Sequence, residues 1–88
     1  MLRINEKMKN EKMDMGFAIF DDNCVHILNE SAATVFRCCN NTSMQTAIEK
    51  SIHEITLQVG CIDVAVLQND IKECISSLLE KSIIICDG

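Results

Sequence analysis

The apolar positions of this chain change their period near residue 29. Before it they come in short runs. Phe17-Ala18-Ile19-Phe20 lies between the turn formers Asp14-Met15-Gly16 and Asp21-Asp22-Asn23, and Val25-His26-Ile27-Leu28 follows. Apolar runs bounded by Asp, Asn and Gly read as strands of a meander. Residues 8–13 supply a first strand by position, with poor alternation. After residue 29 the spacing becomes helical. Asn29 is a good N-cap and Glu30 follows in the first turn, where the helix dipole favours an acid. Ala32, Ala33, Val35, Phe36 and Cys39 form one stripe, which Asn40-Asn41 ends. Thr42 and Gln45 fit a capping box that opens a second helix, with Met44, Ala47, Ile48, Ile52 and Ile55 as its stripe and Gly60 in the connection after it. Asp63 caps a third helix. Its stripe, Val64, Leu67, Ile71, Cys74, Ile75 and Leu78, is the most regular in the chain, and Lys72, Glu73, Glu80 and Lys81 lie largely off it. Ile83-Ile84-Ile85 is β-branched and predicts a short final strand or a packed tail.

These elements predict one α+β domain over residues 1–88. It is winged-helix-like, a three-stranded antiparallel β-sheet followed by three α-helices, with two sheet edges. There is no Pro, no Gly/Ser linker and no internal repeat.

Composition narrows the chemistry. Hydrophobic residues make up 48% of the 88, yet the only aromatics are three Phe, so the core is built from Ile, Leu, Val, Met and Cys. Thirteen acidic residues against eight Lys and Arg give a net charge of -5, and the cations form no cluster. Phosphate neutralisation needs concentrated Lys and Arg, so nucleic acid is not an expected partner. The first fourteen residues carry charges throughout and no apolar h-region, and no apolar run, residues 83–86 included, is long enough to span a bilayer. No membrane association is expected, and the expected location is cytoplasmic. In that compartment six cysteines read as reduced, buried thiols acting as small hydrophobes.

Candidate reactive groups are sparse. Cys24 and His26 stand two apart on a predicted strand, but Cys38-Cys39 is adjacent and lacks the C-x₂₋₄-C spacing of structural zinc sites. No metal and no cofactor are expected. His53 beside Glu54 reads as a solvated helix face, and His26 as half-buried packing. There is no nucleophile–base pair, phosphate loop or H-E-x-x-H helix, so no catalytic residue is assigned and a non-catalytic protein is expected.

The order of elements, together with Ile27-Leu28-Asn29-Glu30-Ser31-Ala32-Ala33, resembles the PqqD family, the RiPP recognition elements. In that family a Leu-Asn pair ends the third strand and a small-residue helix begins. Cys39-Asn40-Asn41-Thr42 stands where members often carry Cys-Asp-Gly-Thr. Asp70-Ile71, Leu78 and Ile83-Ile84 match the last helix and its apolar tail, and Lys81-Ser82 replaces the usual Gly there. The resemblance covers roughly residues 3 to 86. It implies a domain that binds the leader of a ribosomally made precursor peptide as an added strand. It also implies presentation to a modifying enzyme, a radical SAM protein or leader peptidase, in peptide natural product or cofactor biosynthesis.

The residues agree with that reading. In a meander the outer strands are the first and third. The first carries Lys9, Glu11 and Lys12, which discourage pairing, whereas the third has no Lys, Pro or acid. An extended peptide can add there, along Cys24, Val25, His26, Ile27 and Leu28. The stripe on the third helix reads as core, and the resemblance further implies that part of it floors a groove beside this strand, with Ile71, Lys72, Cys74, Ile75 and Leu78 as the candidates to face the peptide. A homodimer is also compatible with the chain. Two other classes stand behind. One is a winged-helix DNA-binding transcriptional regulator offering Gln68, Asn69 and Lys72, with only Arg3 and Arg37 as arginines. The other is a redox or metal module built on the cysteines.

Overall fold

The structure, a computed structural model, describes residues 1–60 and 63–87. The meander forms as expected: β2 (Lys9–Met13), β3 (Gly16–Phe20) and β4 (Val25–Leu28) pair antiparallel in the order β2-β3-β4, and α1 (Glu30–Cys38), α2 (Met44–Val59) and α3 (Val64–Glu80) follow. One element enlarges that plan, and the final strand read at residues 83–85 forms one residue further on. A strand β1 (Leu2–Ile4) precedes the meander, and β5 (Ile84–Cys86) closes the chain by pairing with it, Leu2 opposite Cys86 and Ile4 opposite Ile84. The single sheet read from the sequence is therefore accompanied by a second, two-stranded one.

Helix ends follow from local chemistry. The Asn29 side chain accepts from the Ala32 N–H at 2.8 Å, and the Asp63 carboxylate accepts from Ala65 and Val66, so both caps sit where the sequence puts them. The cap of α2 is displaced by one. Ser43, not Thr42, accepts from the Thr46 N–H. Thr42 is buried and spoken for, since its backbone exchanges both hydrogen bonds with Leu2. Gln45 correspondingly reaches forward to Glu49 instead of back to a cap. Helix α3 ends in a Schellman turn. The Ile83 N–H donates to the Leu78 carbonyl and the Ser82 N–H to Leu79, with Ser82 left-handed at φ 60°. The serine occupies a conformation that glycine takes without a Cβ penalty.

The core lies between the inner face of the meander, the three helices and the small sheet. Ile19 and Leu28 from the meander meet Phe36, Ile48, Ile55, Ile71, Ile75 and Leu78 from the helices, with Leu2, Ile83 and Ile84 at the closure. Each of these removes apolar surface from water at roughly 25 cal/mol per Å². Val64, which the stripe on α3 includes, is 56% exposed, because the first turn of α3 extends past the core.

Gly16 is fixed by packing. Its φ is +105°, and a Cβ there would collide with the Leu28 carbonyl oxygen, a backbone atom that cannot step aside. Gly16→Ala is expected to cost about 2–3 kcal/mol from strain and collision together. Ser82→Gly, by contrast, should raise stability by roughly 0.5–1 kcal/mol through relief of the left-handed serine. Urea unfolding followed by circular dichroism checks both; a neutral Gly16→Ala contradicts the close approach.

Candidate functional site

The register of the meander sorts its side chains onto two faces. Phe17 pairs with Leu28, Ile19 with His26, Ala18 with Ile27 and Phe20 with Val25. Directly opposed residues share a face. Ile19, Leu28 and His26 therefore turn towards the helices, and α1 packs on β3 and β4 from that side. Ala18, Phe20, Val25 and Ile27 turn away from the helices. Val25 is 63% and Ile27 60% exposed, whereas Leu28 is buried. His26 is half-buried.

Strand β4 pairs with β3 on one side, and among the described residues no strand lies on its other side. The turn sets which groups face that open edge. The Asp21 N–H donates to the Cys24 carbonyl at 3.0 Å, so Asp21 and Cys24 are a hydrogen-bonded pair. Such pairs alternate with non-bonded ones along an antiparallel ladder. His26 and Leu28 consequently direct their main-chain groups to β3, and Val25 and Ile27 direct theirs outward. The edge offers two N–H donors and two carbonyl acceptors, two residues apart. At the opposite edge, β2 is exposed along its whole length and carries Lys9, Glu11 and Lys12.

The helical part of the expected site is arranged differently. Ile71, Ile75 and Leu78 are core residues, with Ile75 fully buried. Ile75 and Leu78 do not floor an open channel beside β4, because α3 packs on α1, α2 and β5. Lys72 is exposed and off the stripe. An open groove of about 260 Å³ does exist, bounded by α1, α2 and α3. Ser31 and Val35 line it from α1, Ile55 and Val59 from α2, and Val66, Leu67, Asp70, Ile71 and Cys74 from α3. Of the expected helical residues, Ile71 and Cys74 reach it. Ser31, Val35, Ile55, Val59, Val66, Leu67 and Asp70 were not assigned to a site from sequence, because periodicity marks which face of each helix is apolar but not where three such faces fail to close. A second, polar cleft of about 510 Å³ between α1 and α2 contains His53 and Glu54.

Cys24 and His26 come together at the turn, Sγ 3.4 Å from Nε2, and the Cys24 thiol also lies 3.5 Å from an Asp21 carboxylate oxygen. Backbone N–H groups of Asn23 and Cys24 hold Asp21 below the usual carboxylate range. Partial desolvation, then the adjacent Asp21 carboxylate, push the Cys24 thiol up. The arrangement therefore disfavours the Cys24 thiolate and does not activate it as a nucleophile. Among the described residues no group of three His, Cys, Asp or Glu side chains could hold a metal ion. The thiols are more varied than the expectation of buried hydrophobes: Cys39 is buried, Cys38 and Cys74 are partly so, and Cys24 and Cys86 are exposed. Cys61 lies outside the described residues.

No protein-family profile, no curated protein and no solved structure matches the chain. No helix among the described residues is long and apolar enough to cross a membrane.

Cysteine chemistry provides a check on this geometry. Burial above all, with Cys38 and Cys74 adding to it, pushes the Cys39 thiol up to about 12. Its contribution to stability is complete below its unfolded value near 9 and is lost as pH rises from there through about 12. Timed alkylation at pH 8 read by mass spectrometry should modify Cys24 and Cys86 well before Cys39. Asp21→Asn should accelerate Cys24 several-fold and leave Cys86 unchanged; equal rates at Cys24 in both proteins contradict the Asp21 contact.

Proposed function

We propose that this domain captures an extended peptide by strand addition along β4 and has no chemistry of its own. The observation that carries the reading is the outward set of donors and acceptors on Val25 and Ile27, on a strand with no charge or proline to block it. In the PqqD-like reading the peptide is the leader of a ribosomally made precursor. The domain then presents it to a modifying enzyme, a radical SAM protein or leader peptidase, in the cytoplasm, where its thiols stay reduced. A peptide in this position is read on both faces. Alternate side chains fall beside Val25 and Ile27 on the outer face and beside His26 on the inner one. Main-chain bonds supply attraction, and these two surfaces supply selectivity. A disordered leader loses entropy on ordering, which keeps the complex reversible. The net charge of -5 supports a peptide over DNA as the partner.

Ile27→Pro separates binding from folding. The Ile27 N–H is outward, so its loss removes a donor from the peptide and not from the β3–β4 ladder, and the side chain is exposed. Peptides selected from a random displayed library on the wild-type chain should bind this variant at least about tenfold more weakly. Its circular dichroism spectrum should be unchanged. Titration into isotope-labelled protein should move the amide signals of Val25 and Ile27. Shifts confined to β2 or α2, with β4 silent, overturn the proposal.

A further inference from the structure

The groove between the three helices begins where β4 ends. Leu28 is the last residue of β4, and Ser31, three peptide units on and so at most about 11 Å away, lines the groove. A peptide added antiparallel to β4 leaves the strand at Leu28 with its N-terminal side leading. That side is the one that reaches the groove.

The groove's size and chemistry select what it can hold. At about 260 Å³ it falls below the roughly 300–1,000 Å³ typical of pockets that enclose a whole small molecule. Its dimensions suit side chains of a longer polymer. Its floor is aliphatic, from Val35, Ile55, Leu67 and Ile71, and its rim carries Val59 and Val66, each more than half exposed. A single charged residue, Asp70, stands in this lining. Among the described residues the one ion pair joins Arg3 to Asp87, so Asp70 has no cationic partner there. An exposed carboxylate beside unfilled apolar surface complements a ligand carrying aliphatic side chains and a cation.

We propose that the groove holds the N-terminal part of the same peptide that adds to β4, taking aliphatic anchors on Val59, Val66 and Cys74 and pairing Asp70 with a Lys or Arg of the peptide. This assignment rests on strand addition at β4 and goes beyond it by naming the sequence class of the ligand. That class is a basic-aliphatic segment followed, towards the C-terminus, by an extended stretch. Asp70 acts as a specificity residue in it, since an exposed ion pair contributes little affinity but penalises a like charge.

The test uses the full chain and a random displayed peptide library. Sequences enriched on the wild type should carry paired aliphatic residues and a Lys or Arg N-terminal to a β-prone segment. A synthetic peptide of that sequence should bind Asp70→Lys about five- to tenfold more weakly, and exchanging its basic residue for Glu should restore the loss. Val66→Asn, at an exposed position that the fold does not need, should weaken binding regardless of peptide charge. If Asp70→Lys and Val66→Asn bind as the wild type does while Ile27→Pro does not, the groove assignment is overturned and strand addition stands. If binding survives Ile27→Pro, strand addition is overturned and this N-terminal placement with it. A library that yields no enriched sequence overturns both.

Discussion

The close approach of Gly16 to Leu28 ties the two halves of this domain together. The Leu28 carbonyl occupies the space a side chain at Gly16 would need, and the Gly16 N–H donates to the Glu30 carboxylate at the start of α1. Strand β3 is thereby held against the segment where β4 becomes helix. Leu28 is buried and Asn29 caps α1. The direction in which α1 leaves the sheet follows, and α1 in turn presents the surface on which α2 and α3 pack. Because β4 is committed to β3 on one side and turns into a helix at its end, its other side is left for something that is not part of the sheet.

The open edge and the helical groove are complementary kinds of surface. A strand edge recognises any extended backbone and discriminates poorly between sequences. A small aliphatic groove with one carboxylate discriminates but holds few atoms. Placed end to end, as the proposed mode of binding has them, they would divide adhesion from selection. The exposed Val25 and Ile27 fit this division: a bound strand would cover part of both side chains, which on a free monomer remain in water.

Much of the fold was legible because its signals are local. The Asn29 and Asp63 caps, the turn at Asp21-Asp22-Asn23 and the period change near residue 29 each depend on neighbours in sequence. What escaped depends on distant partners. Leu2-Arg3-Ile4 alternates but is too short to signal a strand by itself, and becomes one because Ile84 and Cys86 lie beside it. Thr42 looks like a cap until Leu2 claims its backbone. The contrast between the charged β2 edge and the bare β4 edge was readable from composition. The side to which Ile27 points was not, since that follows from the pairing of Asp21 with Cys24. The stripe on α3 was correctly read as apolar core, but its share in a groove was only partly placed: Ile75 and Leu78 close the core against other helices, and the groove opens where Val35, Ile55 and Val66 fall short of each other.

The pairing of β1 with β5 has a consequence for how the molecule comes to be. Residues 2 and 86 are far apart in sequence, so their contact is among those that carry the most loop-closure entropy in the domain. Local contacts in the hairpins and helices form without that penalty. Among the described elements β1 is made before the others and β5 after them, so β1 must wait for its partner. Until then Leu2, nearly fully enclosed in the finished fold, lacks its β5 partner and has the Thr42 bridge as its backbone pairing. The first strand to be made is thus the last to be secured, and the interval before closure is when the nascent domain is most exposed to misassociation.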